Sequence, residues 1–285
     1  MLHHFKSIII DHLPELGEAT FTLMTEGWDS MAVDVDDWFI FKFPRIEEAG
    51  EALRREAAML AVVRPQLTLP VPNLAFYETP QPFSKHPKLK GDHLVTAQYE
   101  RLSSNAKQQL AEDVAHFYAQ LHAMDSALLQ AAGALPLKPW PAPKVIAAGV
   151  QPHLPQALQQ KAHQTLAQWV QLTDDPYGIT YGFFDCHGWN MAFDHGTQRL
   201  VGMYDFGDAG FGALHQEFIY TSLVSADLTS RVVGTYERIT GRKLERERIS
   251  ILTGVLLMIE LAQMGNDADK ASLVLQNALN WLHAN

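Results

Sequence analysis

Phe183-Phe184-Asp185-Cys186-His187-Gly188-Trp189-Asn190 and, after a short spacer, Tyr204-Asp205-Phe206-Gly207 are the stretches on which the organisation of the chain turns. In each, a carboxylate follows a short apolar run: Ile179 to Phe184 before Asp185, and Leu200 to Tyr204 before Asp205. Short apolar runs bounded by turn residues read as buried strands. Asn190 to Phe193 and Leu200 to Tyr204 flank Asp194-His195-Gly196-Thr197, which predicts a small β-hairpin. Asp185, Asn190 and Asp205 are thus three polar groups set into apolar surroundings.

Working outward, helical periodicity dominates from Ser104 to the C-terminus. Leu110, Val114, Phe117, Tyr118 and Leu121 fall on one helix face. Further helices are expected over about 156–171, 214–224, 227–240 (stopped by Gly241), 246–264 and 269–283. The first hundred residues are strand-rich instead. Thr20 to Met24, Met31 to Asp36 and Trp38 to Phe43 predict three antiparallel strands, and Pro44 ends the third. Leu53, Ala57 and Leu60 predict a helix over 46–63. Leu74 to Tyr77 and His93 to Tyr99 read as two more strands, separated by a loop from Glu78 to Gly91. The expected fold class is α+β: a β-rich lobe over 1–102 with one helix, and a larger helical lobe over 103–285. Neither an internal repeat nor a low-complexity tract is present.

With 285 residues, 47% of them apolar, the chain can bury a sizeable core, which excludes disordered and disulfide-scaffold classes. Its 22 basic and 32 acidic side chains leave a formal charge of −10, the wrong sign for a general nucleic-acid binder and the right one for a cationic small-molecule partner. Cys186 is the single cysteine and has no internal disulfide partner. The first ten residues lack the features of a secretory signal. The most apolar stretch, Gly254 to Met264, is about half the roughly 20 residues a membrane-spanning helix needs and contains Glu260. A cytoplasmic enzyme with no membrane or nucleic-acid partner is expected.

Asp185, Asn190 five positions on, and Asp205 with Phe206-Gly207 after a hairpin resemble the aminoglycoside phosphotransferase and choline kinase type of small-molecule kinases, relatives of the protein kinases. The resemblance runs from about Thr20 to Gln263. It implies a bilobal protein-kinase-like fold and transfer of the γ-phosphoryl group of ATP or GTP to a small-molecule hydroxyl. Asp185 is implied as the residue that orients the acceptor hydroxyl, and Asn190 with Asp205 as the Mg²⁺ ligands. Phe39-Ile40-Phe41-Lys42-Phe43 resembles the strand whose lysine reaches the α and β phosphates, which implies Lys42 with Glu56 as its partner. Leu94 to Leu102 resembles the segment joining the lobes, which implies the purine against the Glu100 carbonyl and the Leu102 amide, with Tyr99 behind it. Ser30 is implied at the phosphates, and Glu217 as an anchor of the catalytic loop. A cationic acceptor needs carboxylates from the C-terminal helices, for which Glu237, Glu260 and Asp267 are candidates.

The family's His-Gly ahead of the catalytic aspartate is Phe183-Phe184 here, and Thr25 to Ser30 is no Gly-x-Gly-x-x-Gly loop. An aminoglycoside is the leading acceptor. Choline, amino-alcohol, sugar and macrolide kinases share these parts. A nucleotide-binding pseudokinase stands as the alternative from another class, and a protein kinase lacks the Ala-Pro-Glu segment. His187 reads as a loop hydrogen-bonder rather than a metal ligand, and Cys186 as a buried inert thiol rather than a reactive one. The pair Asp34 and Asp36 reads as a strand-turn feature rather than an aspartyl nucleophile.

Overall fold

The structure, a computed structural model, describes residues 1–24, 30–264 and 268–284. Helix α1 (Leu2–His12) opens the chain and carries an apolar stripe of Phe5, Ile8 and Ile9. It covers one face of a five-stranded antiparallel sheet formed by β1 (Phe21–Met24), β2 (Ser30–Val35), β3 (Phe39–Pro44), β4 (Ala75–Tyr77) and β5 (Phe83–Pro87), in the order β1-β2-β3-β5-β4. Helix α2 (Glu47–Val63) lies between β3 and β4 in sequence.

Alternation along the strands divides the sheet. Met31, Val33, Val35, Phe41, Phe43 and Phe83 pack with α1 into a small apolar core, where Phe43 stacks on Phe5 at 4.2 Å. Deleting such a buried ring typically costs about 3–5 kcal/mol. Directly paired residues share a face. The register therefore puts Ala32, Asp34, Ile40, Lys42, Ser84 and His86 together on the other face, through the pairs Ala32 with Lys42, Asp34 with Ile40, Lys42 with Ser84 and Ile40 with His86. That face opens toward the rest of the molecule.

Three departures from the expected elements matter. The strand beside β3 is β5, inside the stretch expected as a loop. Its Pro82, Lys85 and Pro87 disguise a short strand whose inward residues are Phe83, Ser84 and His86. The stretch expected as the fifth strand instead ends in helix α3 (Thr96–Arg101), whose start is held by Gln98 accepting the Val95 N–H at 2.9 Å. Helix α1 was not expected at all, because its stripe spans only three turns among His and Lys.

The helices that follow are α4 (Ser104–His122), capped by the Ser103 hydroxyl on the Ala106 amide, α5 (Ser126–Ala131), α6 (Pro143–Val150) and α7 (Gln156–Gln171). Two small two-stranded sheets come next: β6 (Ile179–Gly182) pairs with β9 (Gly210–Ala213), and β7 (Met191–Asp194) with β8 (Arg199–Met203), the expected hairpin. A 3-10 stretch (Leu214–Leu223) leads to α8 (Ala226–Thr240), which ends at Gly241 in the left-handed region with φ 73°. Helices α9 (Arg246–Ala262) and α10 (Ala268–Ala284) complete the chain. The main core joins the inner end of α2 to α4, α8 and the two small sheets, and α9 is buried between that core and a second cluster with α6, α7 and α10. This explains its apolar sequence. Among the described residues, no helix is long and apolar enough to cross a membrane.

Candidate functional site

Lys42 points from β3 into the space between the sheet and the helical part. Its Nζ lies 3.2 Å from Asp205 Oδ1, joining residues 163 positions apart. Glu56 of α2 is 6% exposed and accepts the Phe206 N–H at 3.1 Å. Burial works to lower the Lys42 ammonium, but the Glu56 and Asp205 carboxylates outweigh it and hold it above the ordinary lysine range. The Lys42 charge in turn holds Asp205 below the ordinary carboxylate range. Both groups are therefore charged at neutral pH.

Asp185 follows β6, and its two carboxylate oxygens have different partners. Asn190 donates from Nδ2 to Asp185 Oδ2 at 2.6 Å and to the Asp185 carbonyl at 2.9 Å, while His187 Nε2 lies 3.3 Å from Oδ1. The amide of Asn190 is thus oriented, with its Oδ1 turned away from Asp185. Tyr204 donates its N–H to the Asn190 carbonyl at 2.7 Å, so the hairpin register brings Asn190 beside the segment that carries Asp205. Phe184 and Asp205 both hold left-handed backbone, with φ of 54° and 57°, a conformation uncommon for non-glycine residues and concentrated at functional sites.

What holds this loop is Glu217. Fully buried, it accepts the N–H groups of Phe183 and Phe184, each at 3.0 Å, and lies 3.5 Å from His122. A Cβ at Gly182 would overlap its carboxylate, and one at Gly188 would overlap the Leu94 carbonyl, so both positions require glycine for close approach. Phe183 fills the space under the loop, with its ring edge-on to Phe206 at 4.9 Å. Cys186 is fully buried and burial pushes its thiol up, which matches an inert core cysteine.

Lys42, Glu56, Asp185, Asn190 and Asp205 are therefore drawn to one cleft. Ser30 begins β2 opposite Pro44, on the same sheet face as Lys42. The remaining stretch of the expected phosphate loop, and Asp267, lie outside the described residues. Tyr99, Glu100 and Leu102 are not brought to that face. Tyr99 is buried in the helical core with its hydroxyl donating to Asp227 at 2.6 Å, the Leu102 amide donates to the Tyr99 carbonyl at 3.0 Å, and the Glu100 carbonyl accepts from Lys107 at 3.2 Å. Glu237 is held by both terminal nitrogens of Arg246 at 2.8 Å and by the Leu244 amide, and Arg246 pushes its carboxyl down to about 2. It ties α8 to the start of α9. Glu260 of α9 is different: burial pushes it up to about 7, with the Asp185 charge adding to the rise and His187 opposing it. Its charge therefore acts on the loop that carries Asp185.

Sequence reading missed His86. It stands on the Lys42 face opposite Ile40, is 3% exposed, and its Nδ1 lies 2.9 Å from the Pro87 carbonyl. Burial pushes it down to about 4, so the ring is neutral at ordinary pH. The only sequence signal was the alternation Phe83, Ser84, Lys85, His86, obscured by flanking prolines and lysines. Lys88, just beyond, binds Asp34 at 2.5 Å and Asp37 at 2.6 Å, which ties the crossing segment to the β2–β3 turn and accounts for Asp34 structurally.

The cleft and fold are those of a kinase-like phosphotransferase. The chain belongs to the phosphotransferase enzyme family, whose family model matches residues 20–250. Among solved structures it is similar to the GDP complex of wild-type aminoglycoside 2'-phosphotransferase-IIIa, with 18% identity, a TM-score of 0.82 and coverage of 100% of this chain and 99% of that one. It is also similar to the gentamicin complex of APH(2")-IIa (18% identity, TM-score 0.66, 97% and 95% covered) and to macrolide 2'-phosphotransferase type I (21%, 0.64, 94% and 96%). A comparison with curated protein sequences finds no match. The shared architecture is the bilobal α+β fold of protein kinases.

Proposed function

We propose that the chain transfers the γ-phosphoryl group of ATP or GTP, with Mg²⁺, to a hydroxyl of a small cationic molecule, an aminoglycoside before other acceptors. The observation that carries this reading is the closed chain of contacts from Lys42 to Asp205, from the Asp205 segment to Asn190, and from Asn190 to Asp185. Phosphoryl transfer asks a protein for positioned charge rather than covalent chemistry, and this arrangement supplies it.

Lys42 presents a fixed positive charge to phosphate oxygens, and Glu56 holds the Phe206 turn that carries Asp205. Asp185 accepts the proton of the acceptor hydroxyl and aims its oxygen. Ser30 stands at the phosphate end of the sheet face, and Ile40 and His86 line the same face for the purine. The donor set fits Mg²⁺. Asn190 Oδ1 and the half-exposed Asp205 carboxylate are two hard oxygen donors, and Mg²⁺ takes its remaining ligands from water and phosphate. Among the described residues no group of three or more His, Cys, Asp or Glu forms a self-sufficient metal site. Bound there, Mg²⁺ would neutralise phosphate charge.

Glu260 supports a cationic acceptor. A partly buried carboxylate that interacts electrostatically with Asp185 gains most when an ammonium arrives. The net charge of −10 acts in the same direction. The test is nucleoside diphosphate release with Mg²⁺, ATP or GTP, and a panel of aminoglycosides, macrolides, amino alcohols and sugars. Acceptor-dependent release with an aminoglycoside is expected. Release only with a macrolide, amino alcohol or sugar reassigns the acceptor, and nucleotide binding without release across the panel establishes a pseudokinase.

A further inference from the structure

The catalytic loop contains an imidazole that the roles above leave unused. The Trp189 N–H donates to His187 Nδ1 at 3.2 Å. A nitrogen that accepts a backbone N–H carries no proton, so the ring proton sits on Nε2. Nε2 is the atom 3.3 Å from Asp185 Oδ1. The other carboxylate oxygen, Oδ2, is taken by Asn190 at 2.6 Å.

From this geometry we infer that His187 is a positioning residue for the catalytic step: its Nε2–H fixes Asp185 Oδ1, so that Asn190 and His187 together lock the carboxylate plane toward the acceptor hydroxyl. A hydrogen bond on Oδ2 and a ring nitrogen 3.3 Å from Oδ1 favour one rotation of the carboxylate, whereas Asn190 alone leaves the second oxygen free to swing. The lock has an electrostatic reason as well. Glu260 acts on both Asp185 and His187, and an N–H held at Asp185 keeps that carboxylate in place against a second negative group nearby. His187 touches neither nucleotide nor acceptor in this account. Its side chain is 25% exposed, so replacement does not empty a closed core.

The inference rests on Asp185 being the catalytic aspartate, and two measurements keep the two ideas apart. In the first, ¹⁵N imidazole NMR of the full chain, without nucleotide, is expected to show His187 as the Nε2–H tautomer with a resonance that moves in Asp185→Ala. An Nδ1–H tautomer, or a resonance indifferent to Asp185→Ala, overturns the inference whether or not the protein turns over. In the second, His187→Phe is expected to lower kcat about 10- to 100-fold, the effect of a misaligned reactive group, with KM for nucleotide unchanged. His187→Gln, which keeps a carbonyl acceptor and an N–H donor, is expected to recover part of that loss. Unchanged kcat in His187→Phe, or equal losses in both variants that follow their thermal stability, overturns the positioning role. Absence of turnover in the unsubstituted protein with the NMR result intact defeats the kinase reading and leaves the contact standing.

Discussion

Glu56 Oε1 accepts the backbone N–H of Phe206 at 3.1 Å, so a helix attached to the sheet grips the turn next to Asp205. The same carboxylate raises the affinity of Lys42 for its proton. Glu56 makes no ion pair with Lys42 within 4 Å; one side chain therefore holds the turn that carries the proposed metal ligand and acts on the lysine through its charge alone. Glu56→Gln keeps an oxygen for Phe206 but removes the charge. It is expected to lower kcat/KM about 10- to 100-fold with a small change in unfolding free energy. Glu56→Ala also strands a buried N–H and is expected to lose about 1–3 kcal/mol in urea unfolding. Equal stability of the two variants contradicts the grip.

Glu217 sets the shape of the loop that carries Asp185 through two amides. Gln at this position turns an NH₂ group toward one of those donors. Loss of about 3–5 kcal/mol, the range for breaking a buried charged partner, is expected with a parallel loss of turnover. Gly182→Ala drives a methyl group into the same carboxylate and is expected to reproduce both effects. Normal activity in either variant removes Glu217 from the account.

Glu260 gives a pH signature. Its carboxyl titrates near 4.5 unfolded and near 7 folded, so the folded chain binds the extra proton between those values and loses relative stability as pH rises through them. Glu260→Gln removes that loss. It is expected to be more stable than the unsubstituted chain at pH 8, by on the order of 1 to 3 kcal/mol, and to match it below pH 4.5. A di- or polyamine acceptor is expected to stabilise the unsubstituted chain and not Glu260→Gln. Identical melting curves at pH 8 contradict the shift.

Glu237 behaves in the opposite way. Its carboxyl is pushed down to about 2 by Arg246, so its stabilising effect is complete above about pH 4.5 and disappears as pH falls toward 2. Glu237→Gln is expected to lower thermal stability at pH 7, with the difference closing in acid, and to leave KM for the acceptor unchanged. A raised acceptor KM at unchanged stability returns Glu237 to substrate binding.

Purine choice tests the sheet face. His86 stands on the Lys42 side of β5, whereas the Tyr99 hydroxyl is engaged by Asp227 in the helical core. His86→Met is expected to change the ratio of kcat/KM for ATP and GTP, and Tyr99→Phe to leave it alone. A ratio that follows Tyr99 contradicts this placement.

The local signals that succeeded were of two kinds: short apolar runs ending in a polar residue, and long 3.6-residue stripes. They located β1, β2, β3, the β7–β8 hairpin and α4, and they placed Asp185, Asn190, Asp205 and Lys42 on strand ends or a strand face. Glu56 was legible only through resemblance, since nothing in a Glu on a helix distinguishes the buried one. Strand β5 was illegible because prolines and lysines flank its alternation, so the stretch from His93 to Tyr99 reads as the fifth strand and the purine contacts are expected beside it, at Tyr99, Glu100 and Leu102. Leu94, ahead of α3, and Tyr99, on it, are apolar because both enter the helical core, and the segment in sequence looks like a strand. Glu237 and Glu260 look alike in sequence, and what separates them is tertiary: Arg246 and the Leu244 amide on the first, burial on the second.

The central claim is that Asp185 works on an acceptor hydroxyl beside a nucleotide held by Lys42 and Asp205. Its most direct test pairs two readings on Asp185→Asn: nucleotide affinity by calorimetry, and acceptor-dependent nucleoside diphosphate release. Unchanged affinity with release reduced at least about 10²-fold is predicted. Release at the unsubstituted rate contradicts the account.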